Sequence, residues 1–266
     1  MKYVSITFDD GRSDNFAYAF PIMQKYSLQG TLFCTTGYID KTWPKPQSWL
    51  SSESPISIEE LKKLDMAGWE IGLHGDQHIL ALSDFKVSLE KFDQWGLLRK
   101  QIGVSVPNSI VNKQELEKIR TDDSGRSIQY FRLGRRRNTK SLQSKMLFFL
   151  YTYMNLQWAY DRFNNVNLNY LSHIDTTSIY SVVIRHKDPA EMVCKFITQM
   201  PENTWIVLML HSILPEKSEF YGCDPWNWSE TQFEKLCKFV RALQINGTLI
   251  AKPVNEILDL QKEKSP

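Results

Sequence analysis

Residues 3–11 read Tyr-Val-Ser-Ile-Thr-Phe-Asp-Asp-Gly, an apolar run that ends in two adjacent carboxylates and a glycine. Aromatic and β-branched side chains are frequent in residues 3–8, which predicts a buried β-strand near the start of the chain. Asp9 and Asp10 then lie just past the carboxyl end of that strand. Functional side chains collect at this end of parallel strands, so these two acids are the first candidate site residues.

A second polar cluster follows another short apolar run, residues 69–73. Residues 74–78 read His-Gly-Asp-Gln-His, which places His74 and His78 four positions apart. One carboxylate and two imidazoles are a typical ligand set for a divalent metal ion that keeps one coordination position open. The remaining carboxylate is then available as a base. The two clusters together indicate metal-assisted hydrolysis.

Predicted strands and helices alternate along the rest of the chain. Further apolar runs of strand length lie at residues 31–35, 102–106, 130–133, 180–184, 205–210 and 248–251. Helix starts are marked by the capping signals Ser57-x-x-Glu60, Asn112-x-x-Glu115, Asp188-Pro189 and Ser229. This alternation predicts a parallel sheet, either open or closed into a barrel. Asn108 and His211 also follow predicted strands directly, so we expect them at the same rim as the two acids and His74.

The composition favours one globular domain. The chain has 266 residues, of which 42% are hydrophobic and 23% charged, so a packed core is expected. The net charge of +2 gives no argument for nucleic-acid binding. The longest strongly apolar run, Met146–Met154, is far shorter than the ~20 residues that cross a bilayer. We therefore expect no transmembrane segment and no secretory signal, and we predict a cytoplasmic location. The four cysteines show no C-x-x-C spacing, so we interpret them as reduced packing residues; they are Cys34, Cys194, Cys223 and Cys237.

Five segments carry a family resemblance: Ile6–Gly11, Phe20–Tyr26, Gly30–Ile39, Trp69–His78 and Trp205–His211. In these segments the chain resembles the polysaccharide deacetylases, which include nodulation-type chitooligosaccharide deacetylases and peptidoglycan N-acetylglucosamine deacetylases. The resemblance extends over about residues 2–123 and 180–260. It implies an α/β fold, a distorted (β/α)7-type barrel of mostly parallel strands, in a single domain over residues 1–266.

The resemblance also implies an activity, the removal of an N-acetyl group from an amino sugar or a sugar conjugate by a metal-dependent hydrolase. The implied metal ligands are Asp10, His74 and His78. Nitrogen and oxygen ligands suit Zn²⁺ best, and Co²⁺, Ni²⁺ and Fe²⁺ also fit such a set.

The family assigns further roles around this metal site. Asp9 is the implied general base and His211 the implied acid that protonates the leaving amine. The backbone N–H of Asn108 is the implied oxyanion donor. His173 and His186 match no motif and are expected at the surface or in packing.

Two positions depart from the family pattern. The family usually has serine or threonine after the first metal histidine, where this chain has Gly75. The arginine that normally pairs with the catalytic aspartate is expected at Ser105, and either Arg132 or Arg185 could replace it. Two alternatives therefore stay open beside the deacetylase: a deacylase or esterase acting on a non-sugar substrate, and a catalytically weak carbohydrate-binding relative.

An atypical basic and aromatic insertion is predicted at about residues 124–178. Its cationic part contains Arg126, Arg132, Arg135, Arg136, Arg137, Lys140 and Lys145, and an aromatic stretch follows over residues 148–160. One interpretation is a solvated loop and a helix packed on the barrel. The other is a contact for an anionic part of the substrate, such as a phosphate, or peripheral contact with a membrane surface.

Three residues are predicted to bind substrate directly. They are Arg132 and the tryptophans Trp226 and Trp228. The two tryptophans could form a platform on which a sugar ring stacks, although a structured loop explains the same residues equally well.

Overall fold

The computed structural model describes residues 1–44, 54–97, 99–109, 111–122, 127–136 and 139–264. Its strands are β1 (Lys2–Phe8), β2 (Thr31–Cys34), β3 (Glu70–Leu73), β4 (Gln101–Ser105), β5 (Ser127–Arg132), β6 (Asn169–Tyr170), β7 (Val182–Val183), β8 (Thr204–Leu210), β9 (Ser212–Leu214), β10 (Asn227–Ser229) and β11 (Leu249–Ala251). The main sheet runs in the order β5-β4-β3-β2-β1-β8-β6, and β6 is antiparallel to β8 while the other neighbours are parallel. In the same sheet β11 pairs with β1 and β7 pairs with β8, both in parallel. The strands β9 and β10 form a small parallel sheet of their own.

The main sheet curls into a half-barrel, and the segment around β7 links its two sides. At one end of this segment the backbone of Ile179 exchanges hydrogen bonds with β5, donating to Phe131 at 3.0 Å and accepting from Leu133 at 2.7 Å. At the other end β7 lies parallel to β8, with Val182 opposite Leu208. The prediction of a distorted (β/α)7-type barrel of mostly parallel strands is therefore confirmed.

Helices cover the outside of this sheet. They are α1 (Phe20–Lys25), α2 (Thr36–Ile39), α3 (Ile58–Met66), α4 (Leu82–Trp95), α5 (Lys113–Arg120), α6 (Leu142–Met154), α7 (Gln157–Asn164), α8 (Ala190–Gln199), α9 (Glu230–Ile245) and α10 (Val254–Lys264). A π-helical turn, Asn15–Ala19, precedes α1, and Pro21 lies in the first turn of α1, where its missing N–H costs no hydrogen bond. Within the described residues, no helix is both long and apolar enough to span a membrane.

The capping signals mark the helix starts in three of the four places. Ser57 and Glu60 form a reciprocal capping box, Asn112 accepts from the first turn of α5, and Ser229 accepts from Gln232 at the start of α9. The prediction for Asp188 is wrong. There the N-cap is Pro189, and the Asp188 carboxylate instead accepts a 2.9 Å hydrogen bond from the backbone N–H of Arg185.

The core lies between the sheet and these helices. β8 is buried along its whole length, as its continuous apolar sequence predicts for a central parallel strand.

All four cysteines are free thiols. Cys34 and Cys237 are buried, which agrees with a packing role, whereas Cys223 is exposed and the packing interpretation is wrong for it.

The segment after β5 packs α6 and α7 against the barrel. Leu147 and Tyr151 of α6 and Phe163 of α7 are buried in the main core. The cations of this region separate into different environments: Arg132 is completely buried, Arg136 is exposed, and Arg126 and Arg137 lie outside the described residues. The interpretation of this segment as a solvated basic loop is therefore wrong for Arg132.

Candidate active site

Polar side chains from several strands meet at the carboxyl end of the barrel. Asp9 and Asp10 follow β1, His74 follows β3, Asn108 lies in the short turn after β4, Arg132 ends β5, and His211 follows β8. A cavity of about 480 Å³ opens between them. Its walls include every residue predicted to ligate metal or to take part in catalysis, namely Asp9, Asp10, His74, His78, Asn108 and His211.

Asp10, His74 and His78 form one compact cluster. One potential ligand atom from each lies within 4.8 Å of the others. The Oδ1 atom of Asp10 is 3.6 Å from Nε2 of His74 and 3.8 Å from Nε2 of His78, and the two Nε2 atoms are 3.1 Å apart. Three donor atoms therefore converge from two different loops, as the sequence spacing predicted.

The surroundings of both imidazoles suit metal ligation. Nδ1 of His74 lies 2.9 Å from the carbonyl oxygen of Ser105, which can only accept a hydrogen bond, so Nδ1 carries the proton and the lone pair is on Nε2. Burial, reinforced by His74, lowers the pKa of His78 to about 4, so its ring is neutral at neutral pH. A neutral imidazole is the form that binds metal. The donor set and its protonation states thus fit a divalent ion.

Arg12 holds the carboxylate of Asp10 in place. Its Nε and Nη2 atoms donate to Oδ2 of Asp10 at 3.0 and 2.7 Å, and Nη1 donates to Ser212 at 2.9 Å. Burial would raise the pKa of Asp10, but Arg12 and the nearby imidazoles outweigh it and hold the pKa well below its usual value. Arg12 occupies Oδ2, so Oδ1 is the oxygen directed at the two histidines.

Arg132 pairs with the other acid. Its Nη2 atom donates to Oδ1 of Asp9 and also to Oγ of Ser105, and all three side chains are buried. Ser105 and Arg132 are register partners on β4 and β5. The arginine that the family pattern places at position 105 is thus replaced by one on the neighbouring strand at the same level. Arg185, the other candidate, lies elsewhere on the cavity wall.

The same contact determines the charge of Asp9. Burial would raise the pKa of its carboxyl, and Arg132, followed by His74 and His211, lowers it below its ordinary value. Asp9 is therefore ionised at neutral pH. Its second oxygen, Oδ2, lies 3.9 Å from Nε2 of His74 and faces the metal-ligand cluster.

The backbone at this site adopts rarely populated conformations. Four non-glycine residues that line the cavity have left-handed φ angles: Asp10 (78°), His78 (57°), Asn108 (54°) and Ser109 (55°). Such conformations cost about 1–3 kcal/mol each and persist only where the surrounding structure holds them. Their concentration here indicates that the orientation of these side chains is fixed by the fold.

Gly75, the first departure from the family pattern, has a steric explanation. Its φ is +80°, and a Cβ atom at this position would lie 2.6 Å from Oδ2 of Asp84. Asp84, on α4, accepts hydrogen bonds from the backbone N–H groups of Asp76 and Gln77 at 2.7 and 2.9 Å. The loop between the two histidines is therefore held by a carboxylate from α4, which occupies the space that a side chain at position 75 would need.

The aromatic residues after β9 take different positions. Trp226 lies on the cavity wall, with its ring centroid 5.3 Å from that of His211. Trp228 is 1% exposed, and its Nε1 donates to the backbone carbonyl of Asp188 at 2.7 Å. The structure therefore corrects the predicted sugar platform: β10 buries Trp228, and only Trp226 is available to a ligand.

The remaining predicted residues are placed as follows. Nδ2 of Asn108 is 3.5 Å from Nδ1 of His78, at the rim of the cavity. Arg132 is fully buried behind Asp9 and does not line the cavity, so its predicted direct contact with substrate does not agree with its position. His173 is exposed, and Nδ1 of His186 bonds to Asn227 at 2.8 Å.

Sequence reasoning missed several residues that shape the site. Arg12 stands two positions after Asp10 and could have been suspected from that proximity alone. Asp84 carries no local signal, because its contact with the histidine loop depends on how α4 packs. Arg135 also lines the cavity, and the sequence identified it only as one of the cations of the basic segment, without a place at the site.

Comparison with known proteins agrees with this geometry. No match was found among curated protein sequences. The family model described as polysaccharide deacetylase matches residues 1–103, which contain the motifs of Asp9, Asp10, His74 and His78.

Solved structures with the same fold align over nearly the whole chain. The Xyl-CE4 domain of a multidomain xylanase from the hindgut metagenome of Trinervitermes trinervoides has a TM-score of 0.54 and 11% identity, covering 98% of this chain and 91% of its own. Peptidoglycan deacetylase PdaC from Bacillus subtilis has a TM-score of 0.52 and 11% identity, covering 99% and 93%. A family 4 acetyl xylan esterase from Clostridium thermocellum, solved with a cobalt ion, has a TM-score of 0.53 and 12% identity, covering 97% and 91%. Identities this low show the fold alone, whereas the match of residues 1–103 is one of sequence. The predicted resemblance to the polysaccharide deacetylases is therefore confirmed for these residues, which make up the first part of the chain.

Proposed function

We propose that this protein is a metal-dependent hydrolase that removes the N-acetyl group from an amino sugar or a sugar conjugate. The observation that carries the proposal is the convergence of two groups on one cavity. The first is the Asp10, His74 and His78 cluster, and the second is the ionised Asp9 beside it. A metal-ligand cluster with an ionised carboxylate beside it, which itself binds no metal, is the arrangement that water activation requires.

Asp10, His74 and His78 are the residues that would hold the metal ion. When bound, a divalent ion supplies Lewis acidity, which polarises an acyl carbonyl group and lowers the pKa of water. Nitrogen and carboxylate donors suit Zn²⁺, and they also accept Co²⁺, Ni²⁺ or Fe²⁺. Arg12 and the carbonyl of Ser105 fix the orientation of two of these ligands, which supports affinity for the ion.

Asp9 is the proposed general base. Arg132 occupies Oδ1 and leaves Oδ2 directed toward the ligand cluster, so this oxygen is the one placed to remove a proton from the attacking water. The ion pair keeps Asp9 in the ionised form that a base needs. It also fixes the carboxylate at an orientation that a freely rotating side chain would lose.

Two further groups act on the tetrahedral intermediate, one on its formation and one on its collapse. The backbone N–H of Asn108, at the cavity rim, is the proposed donor to the oxyanion. His211 is the proposed acid, because an amine leaves only when it is protonated. Burial lowers the pKa of His211 against the opposing effect of Asp10 and Asp9, so its imidazolium gives up a proton readily. Acid catalysis of this kind contributes about 10²–10⁴-fold in rate.

The cavity also offers a place for a sugar ring. Trp226 forms part of the wall next to His211, and an indole face is a common contact for the apolar face of a sugar. A ring stacked there would present its substituents to the ligand cluster on the other wall.

The test is metal content and acetate release measured on the same samples. Wild type, His78→Ala and the control His173→Ala, which removes an exposed histidine, are purified, loaded with Zn²⁺ and assayed on N-acetylglucosamine oligomers and on an acetylated xylan. We expect about one metal ion per chain in the wild type and in the control, with acetate released from the N-acetylated oligomers. His78→Ala should lose both.

Other outcomes separate the alternatives. Metal binding with acetate released only from the acetylated xylan would replace the N-deacetylase by an esterase. Metal binding without release from either substrate would favour a deacylase for a non-sugar substrate. A wild-type chain that binds no metal even after loading would contradict the proposal and favour a carbohydrate-binding relative.

A further inference from the structure

Two arginines on the cavity wall have no task in the proposed deacetylation. Arg135 follows β5 and Arg185 follows β7, and both side chains line the same cavity as the metal-ligand cluster. Both are partly buried rather than extended into solvent. Placing two guanidinium groups in one partly desolvated cavity costs free energy, so their presence calls for a ligand or a counter-charge.

Aromatic rings support both guanidinium groups. The Cζ atom of Arg135 lies 5.2 Å from the ring centroid of Phe163, and that of Arg185 lies 4.6 Å from Phe148. The rings of Phe148 and Phe163 are themselves 6.3 Å apart, so the two charges rest on adjacent rings. Arg185 also lies 5.7 Å from the ring of Trp226. Aromatic faces stabilise a cation but leave its charge in place.

Polar partners are few for these groups. In Arg135, Nη2 donates to the backbone carbonyl of Val183 at 3.1 Å. The Nε atoms of Arg135 and Arg185 are buried without a hydrogen-bond partner in the described part of the chain. Asp188 is the nearby carboxylate, and its charge acts on both guanidinium groups. Its Oδ2 accepts from the backbone N–H of Arg185, and among the described residues it forms no salt bridge within 4.0 Å with either guanidinium.

The two cations also act on each other. Burial, and next to it the charge of Arg185, lowers the pKa of Arg135 to about 10. One carboxylate, that of Asp188, does not balance two guanidinium groups, so among the described residues this wall carries net positive charge. An anion placed between them would remove the repulsion and supply the missing hydrogen-bond acceptors.

We propose that Arg135 and Arg185 form a subsite for an anionic group of the substrate, a phosphate or a carboxylate carried by the acylated sugar. This inference rests on the proposed function for its saccharide part. It places the anion on the wall formed by the segments after β5 and β7, across the cavity from the acyl group to be cleaved. Among the described cations of the segment predicted from the sequence, Arg135 lines the cavity. Arg136 is exposed over Tyr180, with its Cζ 4.2 Å from that ring.

Anion binding is tested first without turnover. Isothermal titration of the Zn²⁺-loaded protein with inorganic phosphate and with N-acetylglucosamine 1-phosphate compares wild type with Arg135→Gln, Arg185→Gln and the control Arg136→Gln. We expect each cavity variant to weaken binding of the sugar phosphate by about tenfold or more, since a hydrogen bond to a charged group is lost, and the control to leave it within about twofold. His78→Ala is included to identify phosphate bound at the metal site, and binding should persist in that variant.

Turnover then defines the substrate. In the wild type, either N-acetylglucosamine 1-phosphate or N-acetylglucosamine with a carboxylate substituent should have a lower KM than the neutral sugar. The charged sugar with the lower KM identifies the anion that the subsite binds. In both cavity variants the KM for the charged sugar should rise about tenfold. The KM for the neutral sugar is compared in Arg135→Gln alone, because Arg185 lies beside the ring of Trp226, and in that variant it should change by less than about twofold. Equal effects of Arg135→Gln and Arg136→Gln, or binding of the sugar phosphate lost only in His78→Ala, would overturn the subsite. Calorimetric binding that depends on the two arginines but comes without acetate release would uphold the subsite and refute the deacetylase.

Discussion

Arg132, at the end of β5, forms a buried ion pair with Asp9 across 123 residues of sequence. Its position opposite Ser105 in the β4–β5 register explains how it reaches the place that the family pattern assigns to an arginine on β4. Because the Ser105 side chain is small, it leaves space for the guanidinium group of Arg132. Its Oγ also accepts a second hydrogen bond from the same Nη2 atom. The absence of an arginine at position 105 is therefore no longer an argument that this chain is a catalytically weak carbohydrate-binding protein.

Exchanging the two positions tests this relationship. Arg132→Ser should leave Asp9 buried and unpaired, which destabilises the protein by about 3–5 kcal/mol and lowers kcat/KM by at least about tenfold. The double variant Ser105→Arg with Arg132→Ser returns a guanidinium to the strand where the family has it. We expect it to recover part of both losses, as measured by urea unfolding and acetate release. A folded double variant that is no more active than the single one would show that Arg132 has a role beyond pairing with Asp9.

Replacement of His211 by asparagine should lower kcat while leaving metal content unchanged, because His211 is not part of the ligand cluster. The expected loss on an N-acetyl substrate is about 10²–10⁴-fold. An aryl acetate, whose leaving group departs without protonation, should lose much less. Asp9→Asn serves as the comparison, since loss of the base should slow both substrates. Equal slowing of amide and aryl ester by His211→Asn would contradict its role as the acid.

The parts of this site that the sequence predicted are those whose chemistry is carried by contiguous residues. Asp9 and Asp10 are adjacent, His74 and His78 share one loop, and each group follows an apolar strand whose carboxyl end must lie at the common rim. Strand and helix alternation predicted a parallel sheet, open or closed, because local periodicity is enough to identify its elements. The distorted barrel itself was implied by the family resemblance.

The parts that sequence could not predict depend on register and packing. Arg132 was one of two candidates, and only the pairing of β4 with β5 decides between them. Trp226 and Trp228 look alike in sequence, yet the short β10 strand turns one into the core and leaves the other at the cavity. Asp84 stabilises the loop between His74 and His78 from a separate helix, and no local sequence pattern predicts this contact.

The contact between Gly75 and Asp84 can be isolated from backbone strain. Gly75→Ala combines a left-handed φ with a Cβ placed 2.6 Å from Asp84, whereas Gly96→Ala has a similar φ of +72° with no atom within 4 Å of its Cβ. The control should cost about 1–2 kcal/mol in the free energy of unfolding. Gly75→Ala should cost more and should also weaken Zn²⁺ binding by about 10–100-fold, because the loop that spaces the two histidines must shift. Chelator competition measures the second effect, and similar Zn²⁺ affinity in both variants would refute the role of Asp84.

Glu70, at the opposite end of β3 from His74, should make stability depend on pH. Its buried carboxyl accepts hydrogen bonds from Tyr130 Oη at 2.8 Å, from Thr31 Oγ1 at 2.9 Å and from the backbone N–H of Asn255 at 3.1 Å. Burial raises the pKa of Glu70 from 4.5 to about 7 despite these bonds. Between these two pH values the folded state holds a proton that the unfolded state has released, so the contribution of Glu70 to stability is complete below pH 4.5 and is lost as pH rises through 7.

Comparison with Glu70→Gln makes this contribution visible, because glutamine mimics the protonated acid and does not titrate. The free energy of unfolding, measured by urea titration from pH 5 to pH 8, should fall in the wild type relative to the variant by about 2.5 kcal/mol. Glu59→Gln, at an exposed position on α3, is the control. Its free energy of unfolding should differ from that of the wild type by the same amount at every pH in this range. A constant difference between wild type and Glu70→Gln would mean that Glu70 keeps the same charge across this interval, and that the hydrogen bonds from Tyr130 and Thr31 offset its burial.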